Sequence, residues 1–352
     1  MGQKKEVMKM KGSYFLGNKT FEVREMQPRA LGEGEVRLRV MACGVCGTDV
    51  HIYHGEAGSA DVTPPVVLGH EYAGIVEEVG AGVQGLVPGD HVAVDPNMYC
   101  GACAACRDGK KQFCAHLRAL GVTQDGGFAE ENIAPEAQCF KLSGRLAFEE
   151  GAMAEPLACC LHGIDAAGIR PGHTVCVIGG GAIGLLMVQL ARLSGASCVI
   201  LSEPVEMRRR VGLAVGADLV VDPLHEDLAA RVREASSRSG ADVVIECVGN
   251  QAATRSAFDV AGFGATVVLF SVPAPTATVP LPLFDVYKKE LNIRGSFINP
   301  DTHQRAVTLL NTGRVDVKPI ITHTFGLQAL ERAIFTQMGS ESIKVMVLPQ
   351  QG

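Results

Sequence analysis

The chain has 352 residues, 47% of them hydrophobic and 20% charged, the balance of an ordinary globular protein with room for two cores. A formal net charge of -6 argues against a surface for nucleic acid or anionic membrane, so the partner to expect is a small molecule. No run of about eighteen apolar residues occurs, and no membrane-spanning helix is expected.

The opening segment, MGQKKEVMKMKGSYF, is basic but has no apolar core and no small-residue cleavage pattern. Glu6 stands where a myristoylation signal carries Ser or Thr. Cytoplasm is therefore the expected location, and thiols there stay reduced.

Residues 33–95 read as β structure. In "EVRLRV", Val36, Leu38 and Val40 alternate with Arg37 and Arg39, the period-two pattern of a half-buried strand. "YAGIVEEVG" and "GDHVAVDP" continue it between Gly and Pro turns.

Next comes "YCGACAACRDGKKQFC", where Cys100, Cys103, Cys106 and Cys114 are spaced C-x2-C-x2-C-x7-C. A reducing compartment disfavours disulfides, a redox C-x-x-C needs only two cysteines, and nothing in the β context or in Lys110 and Lys111 favours the iron-sulfur alternative. Four thiolates at this spacing suit tetrahedral Zn2+. Such a site carries formal charge −2 with no vacant position, so it should be structural, clipping together a lobe poor in apolar side chains.

From about residue 173 the rhythm changes. "TVCVIGG", "SCVILS", "ADLVVD", "DVVIECVG", "ATVVLFSV" and "NIRGSF" are short apolar runs of the kind buried on both faces of a parallel sheet. Helix-length segments separate most of them, so a doubly wound α/β domain is expected. After Gly295 come an amphipathic helix near 301–312 and two strands, "PIITHTF" and "IKVMVLP". This tail is expected to fold back onto the first domain.

"VIGGGAIG" supplies Gly179, Gly181 and Gly184 as G-x-G-x-x-G directly after a strand and at the opening of a helix. The first glycine makes the turn, the second lets backbone approach a pyrophosphate, and the third lets helix pack on strand. With Ala182 and Ile183 they form the helix start, whose unpaired N–H groups favour phosphate. Glu203, ending the second strand, suits both ribose hydroxyls and repels a 2′-phosphate, so NAD is expected over NADP. Alternatively Glu203 merely caps the next helix. Arg208, first of three consecutive arginines, could reach a 2′-phosphate, although a solvated helix face accounts for the run.

A scattered set precedes the dinucleotide motif. It comprises Cys43, Thr48, Asp49 and His51 in "CGVCGTDVH", His70 and Glu71 in "GHEYAG", and Glu155 in "EPLACCLHG". Singly these read as packing residues; together with the G-H-E segment, the four-cysteine lobe, Glu155-Pro156 and G-x-G-x-x-G they carry a resemblance. The chain resembles the zinc-dependent medium-chain dehydrogenases over essentially its full length, most of all the polyol (sorbitol-type) branch, near threonine dehydrogenases.

The resemblance implies a GroES-like β domain, residues 1–157 and 296–352 with the zinc lobe at 95–118, and a Rossmann domain at 158–295. It implies two zinc ions per chain. The catalytic one is to be held among Cys43, His70 and Glu155, with Glu71 either binding directly or standing behind the metal. A thiolate, a neutral imidazole and one carboxylate leave zinc electrically neutral and a useful Lewis acid, so one glutamate should bind through water or exchange. Asp49 would orient His70 by accepting its other ring N–H. The seven remaining cysteines, Cys46 among them, receive no function.

The implied reaction is reversible NAD-linked oxidation of a secondary alcohol, with zinc acidifying the hydroxyl. Thr48 would accept the proton and pass it toward His51. Alternatives are an amino alcohol such as L-threonine, a polyol phosphate, and a non-catalytic dinucleotide-binding relative that has lost its zinc ligands. Substrate-facing segments would lie near Tyr53, Phe113 to His116 and "GSFINP". Phe297, Ile298 and Asn299 replace the arginine of sorbitol-type enzymes in the last segment, which puts sorbitol itself in doubt. A homotetramer or dimer formed through the Rossmann sheet is expected.

Overall fold

A computed structural model describes residues 10–27, 29–56 and 60–351. The first residues, in which neither a cleavage nor a myristoylation pattern was found, lie outside the described range. No helix among the described residues is long and apolar enough to cross a membrane.

The chain divides into two compact units, Met1–Glu155 with His323–Gly352, and Pro156–Thr322. The first break lies two residues before the expected 157/158. The second lies at 322/323, so residues 296–322, expected with the first unit, belong to the second. Side-chain bonding explains this. Thr302 Oγ1 donates to the Ala158 carbonyl (2.7 Å), Arg305 pairs with Asp165 (2.5 Å), and the Gln189 amide binds Asp316 main chain at both of its ends (2.8 and 2.9 Å).

The first unit is built on an antiparallel sheet. Among the described residues it runs Cys139–Lys141, His91–Val94, Glu71–Val79, Glu35–Gly44, Lys344–Leu348 and Ile321–Gly326, with Glu131–Pro135 also on Glu35–Gly44. Val36, Leu38 and Val40 are fully buried, as the alternation predicts. Their outward neighbours form ion pairs across the strands, Arg37 with Glu78 and Glu131 and Arg39 with Glu77. Two register shifts against Glu71–Val79, at Arg37/Leu38 and Val40/Ala42, break the alternation toward the strand's end, and Ala42, Cys43 and Gly44 are all buried. Elements of this unit without a counterpart in the sequence reading include strands Lys11–Phe15, Phe21–Glu25, Glu131–Pro135 and Cys139–Lys141 and helices Phe148–Ala152 and Leu330–Met338, and residues 33–95, expected as β structure, contain the helix Gly47–Tyr53.

The second unit has six parallel strands in the order Leu219–Val221, Cys198–Ser202, Thr174–Ile178, Ala241–Glu246, Ala261–Leu269, Asn292–Gly295. Counted along the chain this is 3-2-1-4-5-6, the doubly wound arrangement, in which the strand order reverses between Thr174–Ile178 and Ala241–Glu246. The central strand Thr174–Ile178 is buried throughout, and its neighbours at all but one position each. The last strand departs from expectation: all four residues of Asn292–Gly295 are exposed, because it is the sheet's edge. The expected helix near 301–312 spans His303–Asn311.

Candidate active site

The helix Gly47–Tyr53 follows the end of strand Glu35–Gly44, with Cys46 at its N-cap position. Asp49, three residues on and fully buried, accepts the Cys46 backbone N–H through Oδ2 at 2.8 Å. That bond satisfies a donor at the helix start and holds Cys46 in place. Glu71 begins the adjacent strand Glu71–Val79, His70 directly precedes it, and Gly69 makes the turn before them at φ +92°.

Cys46, His70 and Glu71 bring their donor atoms within 4.8 Å of one another. Cys43 is not in this group. Its buried sulfur packs beneath the G-H-E turn, where a Cβ at Gly69 or Gly127 would meet it at 2.7 and 2.9 Å. Burial raises its thiol pKa well above the ordinary value. The structure thus does not bring Cys43, the expected thiolate, to His70 and Glu71; the thiol that it brings to them is that of Cys46, for which no function was expected.

The group has the chemistry of a cation site. Burial opposes a charge on His70, yet Cys46, Asp49 and Glu155 around it hold its pKa well above normal. Asp49 is itself pushed up to about 6 by burial. Acidic groups crowded in a dry pocket need a compensating cation, and thiolate, imidazole and carboxylate are the donors zinc takes. Asp49 Oδ1 lies 3.8 Å from His70 Nδ1, beyond hydrogen-bond reach, so the expected orienting contact is a facing pair rather than a formed bond. Glu155, 7% exposed in the first turn of helix Ala154–Ala167, acts on His70 by its charge but stands outside the 4.8 Å group.

Of the expected relay, Thr48 is half-buried on the same helix. His51 Nδ1 lies 2.5 Å from Glu56 Oε2. Tyr53 is committed elsewhere: its hydroxyl donates to Glu331 (2.9 Å), and its ring stacks on Phe21 and meets Phe335 edge-on. Phe113 and Phe297 are exposed, whereas Asn299 is fully buried. Ile298 holds a left-handed φ of +47°, a costly conformation for a β-branched residue.

The four lobe sulfurs also lie within 4.8 Å of one another. Backbone N–H groups of Cys103 and of Cys100 and His116 point at the sulfurs of Cys100 and Cys114, at 3.3–3.4 Å. Amide donors lower Cys103 to about 6, while burial lifts Cys106 to about 12, so full ionisation of the set calls for a cation.

In the second unit Gly179 has φ +100°, and a Cβ at Gly184 would overlap the Gly179 carbonyl. A Cβ at Gly181 would meet nothing within 4 Å, which leaves the backbone open above the start of helix Ala182–Leu193, where Ala182 and Ile183 lie part-exposed. The Glu203 carboxylate accepts N–H from Gly180 (2.6 Å) and Val205 (2.8 Å), tying the second strand to the glycine loop and to the residue that precedes the next helix. Arg209 pairs with Asp222 and Arg210 with Glu206. Glu246, buried at the end of its strand and unremarked in the sequence, gathers the Val248 and Gly249 N–H groups and the Ser271 hydroxyl.

Comparison with known proteins accords with this geometry. Residues 32–144 match the alcohol dehydrogenase GroES-like domain, and residues 182–312 match zinc-binding dehydrogenase. The chain is 35% identical to L-idonate 5-dehydrogenase of Vitis vinifera, covering 95% of this chain and 93% of that one. It is 30% identical to sorbitol dehydrogenase of Bacillus subtilis (97% and 98% covered). A solved zinc-binding dehydrogenase of Sinorhizobium meliloti bound to NADP superposes with TM-score 0.93 at 40% identity, over 97% of this chain and 99% of that one. The chain belongs to the zinc-dependent medium-chain dehydrogenases, in their polyol dehydrogenase branch.

Proposed function

We propose that this dehydrogenase oxidises a secondary alcohol of a polyol or diol to the ketone, reversibly, with NAD, using a catalytic zinc among Cys46, His70, Glu71 and Glu155. The observation that carries the reading is the buried group of Cys46, His70 and Glu71. A zinc ion held there would supply Lewis acidity toward a hydroxyl, and a bound nicotinamide would supply the hydride acceptor. Asp49 braces the Cys46 backbone and faces His70, keeping both donors aimed. Thr48 takes the substrate proton and His51 delivers it outward, with Glu56 holding the imidazole at Nδ1.

Relatives named for idonate and sorbitol support a polyol substrate. Preference for NAD is supported by Glu203 at the end of the second strand, and by the commitment of Arg209 and Arg210 to their own carboxylates. A second, structural zinc in the four-cysteine lobe is supported by the sulfur geometry, and the cytoplasm by the reduced thiols it requires. A homo-oligomer is supported by the exposed edge strand Asn292–Gly295, with Leu283, Phe284 and Tyr287 exposed on a neighbouring helix.

An NADH-absorbance screen tests the substrate class, with arms of polyols, polyol phosphates, amino alcohols such as L-threonine, and simple diols. Highest kcat/KM in the polyol or diol arms is expected; a preference for the phosphate or amino-alcohol arm refutes the reading. Repeating the best substrate with NADP checks the cofactor, and more efficient use of NADP reverses that part.

A further inference from the structure

Lys344 is the one charged residue in the strand Lys344–Leu348, all five positions of which are buried. Its Nζ donates to the Val45 carbonyl at 2.9 Å and forms an ion pair with Glu71 Oε2. The partners lie 273 residues apart in the chain, and both are nearly inaccessible to solvent. Met346 pairs with Gly44 in the ladder, and Gly44 leaves the slot that the pair occupies. A Cβ at position 44 would overlap the Glu71 carboxylate and lie 2.8 Å from Lys344 Cε.

A buried ion pair is weak evidence for stability, since apolar side chains fill such a volume at least as well. This one is attached to a member of the metal group. We propose that Lys344 is a positioning residue for the metal centre, holding one oxygen of Glu71 so that Glu71 is the ligand that yields its place to an incoming one. This rests on the reading of Cys46, His70 and Glu71 as the catalytic metal site.

The reasoning is electrostatic. A carboxylate that shares its charge with an ammonium is a weaker donor to a metal than one facing the metal alone. Once displaced, it must stay charged in a dry pocket, which is costly unless a partner waits there. Lys344 is that partner, already in contact.

The test uses protein with zinc kept in the four-cysteine lobe and cobalt(II) exchanged only into the site of Cys46, His70 and Glu71, so that the thiolate-to-cobalt and d–d bands report that site's coordination without turnover. Imidazole is the probe ligand that competes for a metal position. Wild type should shift its spectrum at a definite imidazole midpoint. Lys344→Met should retain the thiolate band but need at least about tenfold more imidazole, a conservative figure for losing a unit charge at contact distance. Lys344→Arg should restore the wild-type midpoint.

An unchanged midpoint in Lys344→Met overturns the proposal and leaves the metal site standing. So does failure of Lys344→Arg to restore a midpoint that Met has raised. Absence of the thiolate band in wild type overturns the metal site itself. If Lys344→Met does not fold, the double variant Lys344→Met with Glu71→Gln removes both charges. It should take imidazole at least as readily as wild type, and weaker uptake refutes the role.

Discussion

Replacing Cys46 and Cys43 by serine, one at a time, separates two thiols three residues apart that the structure assigns to different work. At position 46 serine keeps the helix start but exchanges a thiolate for a neutral hydroxyl among three donors within 4.8 Å. Losing only an outer partner of a metal ligand costs about 10–100-fold in affinity. Losing a donor outright should exceed that, so metal retention should fall by at least about 100-fold, or ~2.7 kcal/mol. Turnover should be lost with the metal, while the fold, held by cores this residue does not join, should persist.

At position 43 serine sits in a fully buried strand end, where the sulfur now lies 3.7 Å from the Gly44 carbonyl. The shorter hydroxyl loses packing under Gly69 and Gly127 and buries a polar group, at a cost of ~1–2 kcal/mol in stability. Catalytic metal content should be unchanged. Both proteins, loaded with zinc and dialysed against a weak chelator, are assayed for zinc per chain, kcat/KM and urea midpoint. A Cys43→Ser protein that loses its metal while Cys46→Ser keeps it would refute the assignment.

Cys103→Ser should release the lobe zinc and lower stability while the catalytic zinc remains, as metal analysis and a thermal melt would show; unchanged zinc content would remove the four-cysteine cage. Gly184→Ala should weaken NADH binding sharply, because its Cβ overlaps the Gly179 carbonyl, and a fluorescence titration that matched wild type would argue against the tight turn. Glu203→Ala leaves the Gly180 and Val205 amides without their acceptor, so KM should rise for NAD. It should also narrow the gap to NADP, which the two kcat/KM ratios measure. Tyr287→Glu, at a side chain 80% exposed beside the edge strand, should shift the oligomer toward smaller species in sedimentation while leaving the monomer folded. An unshifted distribution would place the interface elsewhere.

Much of the molecule was readable before any coordinates. Alternating apolar residues 36, 38 and 40 specify one buried strand face, and the glycines at 179 and 184 specify a turn that a side chain at either position would strain or block. The four cysteines of the lobe are close in sequence, so their spacing alone brings them together. These are local properties, and local sequence determines them. Burial on the far side of the sheet is not local: "NIRGSF" has the composition of a central strand, yet it became an exposed edge because nothing in the chain remains to pair beyond it among the described residues.

The metal group belongs to the same nonlocal class. Which of two cysteines in "CGVCG" meets His70 depends on where strand Glu35–Gly44 stops and the next helix begins, after register shifts have put Cys43 under the turn. The partnership of Glu71 with Lys344 joins residues 273 positions apart and needs the bare Gly44 between them. Sequence by itself determined the residue types, the two folds and the dinucleotide turn, because short-range sterics and periodicity set those. Only the tertiary structure decided which thiol joins His70 and Glu71 and which cation stands against the Glu71 carboxylate, because strand pairing brings distant side chains into contact.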